Sequence, residues 1–250
     1  MNSSYHQRVA FAGELGCATS RQLDDTSPAL IIPVGSTEQH GPHLPLDTDT
    51  RIATAVARGL AGRLARANGA AERNWMVAPA IAYGDSGEHQ SFPGTISIGS
   101  RALATLLVEY GRSATCWASR LLFVNAHGGN VAALNRASRT LRSEGRDVAW
   151  CGCTVVGADA HAGHTETSLL LYISPTDVTA DRWCAGNGEP LTELLPAMRR
   201  GGVAAVSAVG VLGDPTTATT AEGERILTEM IGGCLRRVTR WNPGVDGMLA

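Results

Sequence analysis

Apolar residues in this chain fall into short unbroken runs that alternate with longer stripes at helical spacing. Ala29 to Val34 is almost wholly apolar, as a strand covered on both faces must be. Trp75 to Tyr83, Arg120 to Val124 and Val148 to Val156 repeat that signature. Between them lie amphipathic stretches. Thr50 to Ala67 is one, closed by Asn68-Gly69 as a left-handed cap would close it. Arg101 to Ala118 is the next, with Leu103, Leu106, Leu107, Tyr110 and Ala114 on one stripe. Ala132 to Ser143 follows, ended by Gly145. Thr167 to Ile173 reads as a helix stopped by Ser174-Pro175. Strand, loop and helix, repeated four times, predict an α/β fold of three layers, α/β/α, around a mostly parallel central sheet.

The pattern weakens towards the ends. Residues 1 to 27 are turn-rich, with a short helix near Ser20 to Leu23. Leu191 to Met198 is apolar but holds Pro196, and Val203 to Val211 predicts a further strand or hairpin. Thr219 to Trp241 closes the pattern as an amphipathic helix with Ile226, Met230, Ile231, Cys234 and Val238 on its apolar face. No linker, repeat or low-complexity tract divides the chain, so residues 1–250 are expected to form one domain.

Composition narrows the function. The 250 residues are 44% hydrophobic, enough for a sizeable core, and the net charge of -2 comes without blocks of like sign. Nothing points to nucleic acid or an acidic membrane surface. Every basic residue is Arg; the absence of Lys excludes a Schiff-base or P-loop lysine. Six cysteines, none in a CxxC pair, read as buried reduced thiols. With no apolar signal core, a cytoplasmic protein is expected.

The polar residues change the picture most. Pro33 to Arg51 packs Glu38, His40, His43, Asp47 and Asp49 into one Pro/Gly-braced loop behind the first strand. Glu88-His89, His127 in Asn125-Ala126-His127-Gly128-Gly129-Asn130, and His161, His164 and Glu166 follow the other three strands. Of seven histidines only His6 lies elsewhere. Sites in parallel sheets gather at the carboxyl ends of strands. Glu38, His40, Asp49, His127 and Glu166 therefore make a candidate ligand set for two divalent metals sharing a carboxylate. His161 is left to act as general acid for a leaving nitrogen. Asp49 as a helix N-cap and His127 as a turn-bracing ring remain open alternatives. His43 and Asp47 read as supporting groups. Zinc, iron and manganese all suit such ligands. No G-x-S-x-G elbow, H-E-x-x-H helix or G-x-G-x-x-G turn is present, so serine hydrolase, zincin and dinucleotide-binding readings lack support.

The segments GSTEQHGPHLPLDTDT, EHQSFPGTIS, NAHGGN, HAGHTETS and GVLGDPTTAT, running from residue 34 to about residue 220, resemble the creatininase family of metal-dependent amidohydrolases. The resemblance implies metal ligation by Glu38, His40, Asp49, His127 and Glu166, with Asp49 bridging and His161 catalytic. It also implies a homo-oligomer, a hexamer. Creatininase itself has a ligating Glu where this chain has Gly129, which implies that Glu166 completes the second site and counts against creatinine as the substrate. MNSSYHQRV, LLVEYGRSA and MRRGGVAAVS resemble a peptidase branch of the family. That resemblance implies a ribosomally made precursor peptide as substrate, already modified at its C-terminal Val-Tyr and cut just before that dipeptide. A small-molecule amidohydrolase acting on a cyclic amide or formamide is the alternative. A binding protein that has lost turnover is disfavoured by the intact ligand set.

Overall fold

The computed structural model describes residues 13–24, 26–67 and 74–250. His6 and the expected cap at Asn68-Gly69 lie outside the described residues. Four strands form the sheet: β1 (Ala29–Val34), β2 (Trp75–Val77), β3 (Arg120–Asn125) and β4 (Val148–Gly152). They are ordered β2-β1-β3-β4 and every pairing is parallel. The register sets Ala29 beside both Trp75 and Arg120, and Asn125 beside both Val34 and Gly152. The carboxyl ends of β1, β3 and β4 are thus level, which brings their loops together.

Alternation along the strands builds the two outer layers. Ala29 and Ile31 of β1 point to one face, with Leu122, Val124, Ala149 and Cys151. That face is covered by α2 (Thr48–Ala67), α5 (His164–Ile173) and α7 (Thr220–Arg240), through Val56, Leu60, Leu169, Ile226, Met230 and Cys234. Leu30, Ile32 and Val34 point the other way, with Leu121, Phe123 and Trp150. They meet α3 (Gly99–Ala114) and α4 (Val131–Ser143) through Leu103, Leu107, Leu134 and Leu141. The short α1 (Ser20–Leu23) precedes the sheet, and α6 (Leu191–Gly201) packs Leu194 with Val203 and Leu212 in a small separate cluster.

Several elements differ from the expected bounds. β2 stops at Val77 rather than Tyr83, because Pro79 offers no N–H to the ladder; the chain still follows β1 through Ile81 N–H to Pro33 O. β4 ends at Gly152, four residues short of Val156. α6 is helical in spite of Pro196. Val203 to Val211 is not a strand. It forms a single 3-10 turn, Val203–Ala205, then irregular chain in which Gly210 has φ +79°. The backbone groups beyond are used elsewhere: Asn187 N–H donates to Val211 O and His161 N–H to Leu212 O. Among the described residues no helix is long and apolar enough to cross a membrane.

Candidate metal centre

The loop after β1 turns back over the sheet, and α2 starts at Thr48, two residues earlier than expected. Asp49 therefore lies inside the first helical turn, not at the cap position. Its carboxylate faces the loop, where Ser36 Oγ donates to Oδ2. Asp49 divides its two oxygens between two rings. Oδ1 lies 3.2 Å from His40 Nε2, and Oδ2 lies 3.3 Å from His127 Nδ1. Glu166, in the first turn of α5, brings Oε2 to 3.7 Å from the same His40 nitrogen. Glu38 brings Oε2 to 3.3 Å from the same His127 nitrogen. The five expected residues thus form two carboxylate–imidazole groups with Asp49 between them.

Each ring is held by its other nitrogen. His40 Nδ1 donates to Glu38 O at 3.1 Å, and His127 Nε2 donates to Asp85 O at 2.8 Å. Both backbone carbonyls can only accept, so the nitrogen facing Asp49 in each neutral ring carries the lone pair. Asn130 ties the loops beneath. Its Nδ2 donates to Gly35 O at 2.9 Å and to Asn125 Oδ1 at 3.1 Å, and its Oδ1 accepts Asp85 N–H at 3.0 Å.

The cluster is almost dry. Glu38 and His40 are fully buried, and the Glu166 side chain is the most exposed of the five, at 19%. Neither oxygen of Glu38 completes a hydrogen bond. A buried ionised carboxylate without such a partner is costly unless a cation compensates it. Imidazolium supplies that charge when no metal does. Burial, the largest single influence, pulls the Glu38 carboxyl upward, but His127 and His89 together bring it down to about 2. Burial works against charge on His40, yet Asp49, then Glu166 and Glu38, push it up to about 10. His127 is raised well above the ordinary imidazole range: burial opposes the charge, and Glu38 and Asp49 overcome it. Burial, with Asp49 and Asp159, lifts Glu166 to about 7. This donor set, with orphaned carboxylate oxygens and lone pairs converging from three loops, fits divalent cations.

Among the described residues, ligand atoms lie within 4.8 Å of one another in three overlapping triads: Glu38-His40-Asp49, Glu38-His89-His161 and His40-His161-Glu166. His161 takes part in two of them, and its Nδ1 is 3.8 Å from Glu38 Oε1. His89, which the sequence marked only as part of a strand-end loop, brings Nε2 to 3.4 Å from Glu38 Oε1. Burial holds His89 neutral, at about 4. Gln39, which no motif singled out, touches both rings.

Other candidates stay outside. Asp47 pairs with Arg51 at 2.7 Å on the surface, His43 Nε2 meets Thr167 Oγ1 at 2.9 Å, and His164 bonds Thr217 Oγ1 at 2.8 Å. Gly129 is sterically obligatory. A Cβ there would lie 2.1 Å from Asp85 O and 2.5 Å from His127 Nε2. Around the cluster, Glu88 sits 3.8 Å from His127 Nε2, and residues 183–190 run beside the His161 loop, with Gly186 N–H bonded to Gly213 O. Glu166 borders a cavity of about 210 Å³ lined also by Ile52, Cys153, Asp159, Thr165 and Met230.

A family model described as Creatininase: Creatinine amidohydrolase matches residues 14–238. The chain belongs to the creatininase family. It is 68% identical, over all 250 residues and the whole length of both chains, to the mycofactocin precursor peptide peptidase of Mycobacterium tuberculosis H37Rv. Two solved structures show the family fold. A mutant creatininase of Zn-Zn type superposes with TM-score 0.75 at 25% identity, covering 94% of this chain and 100% of the other. A structure described as Creatininase Mn gives 0.74 at 25%, with the same coverage. Creatininase-like α/β architecture, and zinc or manganese in relatives, thus agree with the sequence reading.

Proposed function

We propose that this chain is a metal-dependent peptidase that hydrolyses the modified mycofactocin precursor peptide. The cut releases the cyclised product derived from the C-terminal Val-Tyr. The observation that carries this reading is the end-to-end 68% identity to a peptidase of that name. The buried cluster supports the chemistry, because both readings of the family hydrolyse an amide.

Glu38, Asp49 and His127 would hold one divalent ion, and His40, Asp49 and Glu166 the other. Zinc, iron and manganese all suit these donors. Divalent ions bound here supply Lewis acidity, which lowers the pKa of water and polarises an amide carbonyl. The chain's own groups do the rest. Asp49 keeps the two halves in register through its separate oxygens, and Ser36 fixes its rotamer. His161 presents Nδ1 to the centre while Nε2 donates to Gln39 O at 2.8 Å. That nitrogen accepts the proton released by the attacking water and returns it to the leaving nitrogen. Burial of the cluster excludes competing water and strengthens each of these interactions. The same reading includes action in the cytoplasm and assembly as a homo-oligomer, a hexamer by family resemblance.

The test is incubation of the metal-loaded protein with the modified precursor peptide, reading products by mass. Release of the terminal dipeptide-derived product is expected. An intact peptide, with a small cyclic amide hydrolysed instead, overturns the substrate assignment in favour of an amidohydrolase.

A further inference from the structure

Gln39 stands between two proposed ligands and is itself 5% exposed. Its side-chain amide is clamped by two backbone groups that admit one role each. Gly41 N–H can only donate, and lies 2.9 Å from Oε1. Gly210 C=O can only accept, and lies 3.1 Å from Nε2. A flipped amide would set donor against donor and acceptor against acceptor, so its orientation is fixed. The docking is close. Gly210 has φ +79°, and a Cβ there would lie 2.0 Å from Gln39 Oε1.

With one amide proton given to Gly210, the other goes to His89 Nδ1, 2.8 Å away. A neutral imidazole that accepts at Nδ1 carries its proton at Nε2. That nitrogen faces Glu38 Oε1 at 3.4 Å. His161 is set the opposite way by the same residue. The Gln39 backbone carbonyl accepts from His161 Nε2, which leaves the Nδ1 lone pair facing the same Glu38 oxygen. The 3.1 Å approach of Gln39 Nε2 to His161 Nε2 carries no hydrogen bond, since both nitrogens have already placed their protons.

We infer that Gln39 is a positioning residue that fixes the ring tautomers of His89 and His161, so that His89 turns its Nε2 proton towards Glu38, offers no lone pair there and is not a metal ligand. The Glu38-His89-His161 triad has the spacing of a ligand set. Its hydrogen bonds nevertheless leave only His161 and Glu38 with lone pairs to offer. His89 steadies one oxygen of Glu38 while the other faces His127.

Nitrogen-15 spectra of the zinc-loaded protein test this, with His89 assigned by loss of its signals in His89→Gln. The expected pattern for His89 is a protonated Nε2 and an unprotonated Nδ1 in a metal-free ring. A proton on Nδ1, or a ring nitrogen bound to zinc, overturns the inference. In Gln39→Leu the His89 tautomer should become mixed and kcat should fall about 10–100-fold, the usual effect of losing support behind a ligand, with metal content and KM unchanged. An unchanged tautomer and kcat in that variant overturn the inference as well. Where His89→Gln does not fold, correlation of the imidazole nitrogens to the His89 backbone signals of the unaltered protein makes the same assignment. The kcat arm alone rests on the peptidase reading: the expected tautomer in a protein that cleaves no peptide supports this inference and counts against that reading.

Discussion

Asp49 Oδ1 faces His40 Nε2 at 3.2 Å, and the second oxygen of the same carboxylate is turned away, towards the other half of the cluster. A single carboxylate therefore joins two groups that come from different strand ends. Asp49→Asn replaces one of these oxygens by a donor with no lone pair to give. The variant should lose bound metal and reduce hydrolysis by more than about 100-fold, beyond the usual cost of a supporting residue. Metal analysis with mass-resolved turnover checks it. Full activity with full metal content would remove Asp49 from the bridging role.

His161 is placed either to move a proton or to bind a cation. The proton-transfer role predicts that His161→Ala slows turnover by about 10²–10⁴-fold while metal content stays near normal. Loss of metal from that variant would make His161 a ligand instead.

By the sequence resemblance, Gly129 takes the place of a glutamate in creatininase. Since a Cβ would approach Asp85 O to 2.1 Å, Gly129→Glu cannot add a ligand without moving the turn. Overpacking of this kind costs about 1–3 kcal/mol, so thermal melting should fall by several degrees. An unchanged melting temperature would show that the turn yields freely.

The metal-free protein should lose stability as pH rises from about 7 to 10. His40 is raised from 6.5 to about 10 in the folded state. Its contribution is complete below 6.5 and is lost as pH passes through the folded value. His127 is shifted in the same direction. Each pKa unit realised is worth about 1.4 kcal/mol, or about 3–6 °C of melting temperature at this size. Bound metal displaces these protons and should flatten the slope. Parallel melting curves for metal-free and loaded protein across that range would refute the linkage.

The strand β1 was legible to the residue, because an apolar run covered on both faces leaves no other reading. So were the strand-end positions of Glu38, His40, Asp49, His127 and Glu166, since parallel topology delivers such loops to one edge. The short β2 was not, since apolar character at residues 78–83 persists where Pro79 has already broken the ladder. Val203 to Val211 misled for a related reason: Val203, buried with Leu194 and Leu212, and Val211, buried in the cluster under α2, α5 and α7, need the same apolar character as a strand. The part played by Gln39 and His89 was hidden because it depends on hydrogen bonds between loops 50 and 122 residues apart. The available signal was only a polar residue set between two ligands.

Glu38 and Glu166 are 128 residues apart in the chain, yet they share one buried cluster through Asp49. Cations gripping both would close a long loop and pin α5 to the first strand. A nascent chain has every strand of the sheet before it has Glu166. On that ligand set, full metal capture would be a late event in the life of the chain, and loading would report that the start of α5 has folded onto the first strand.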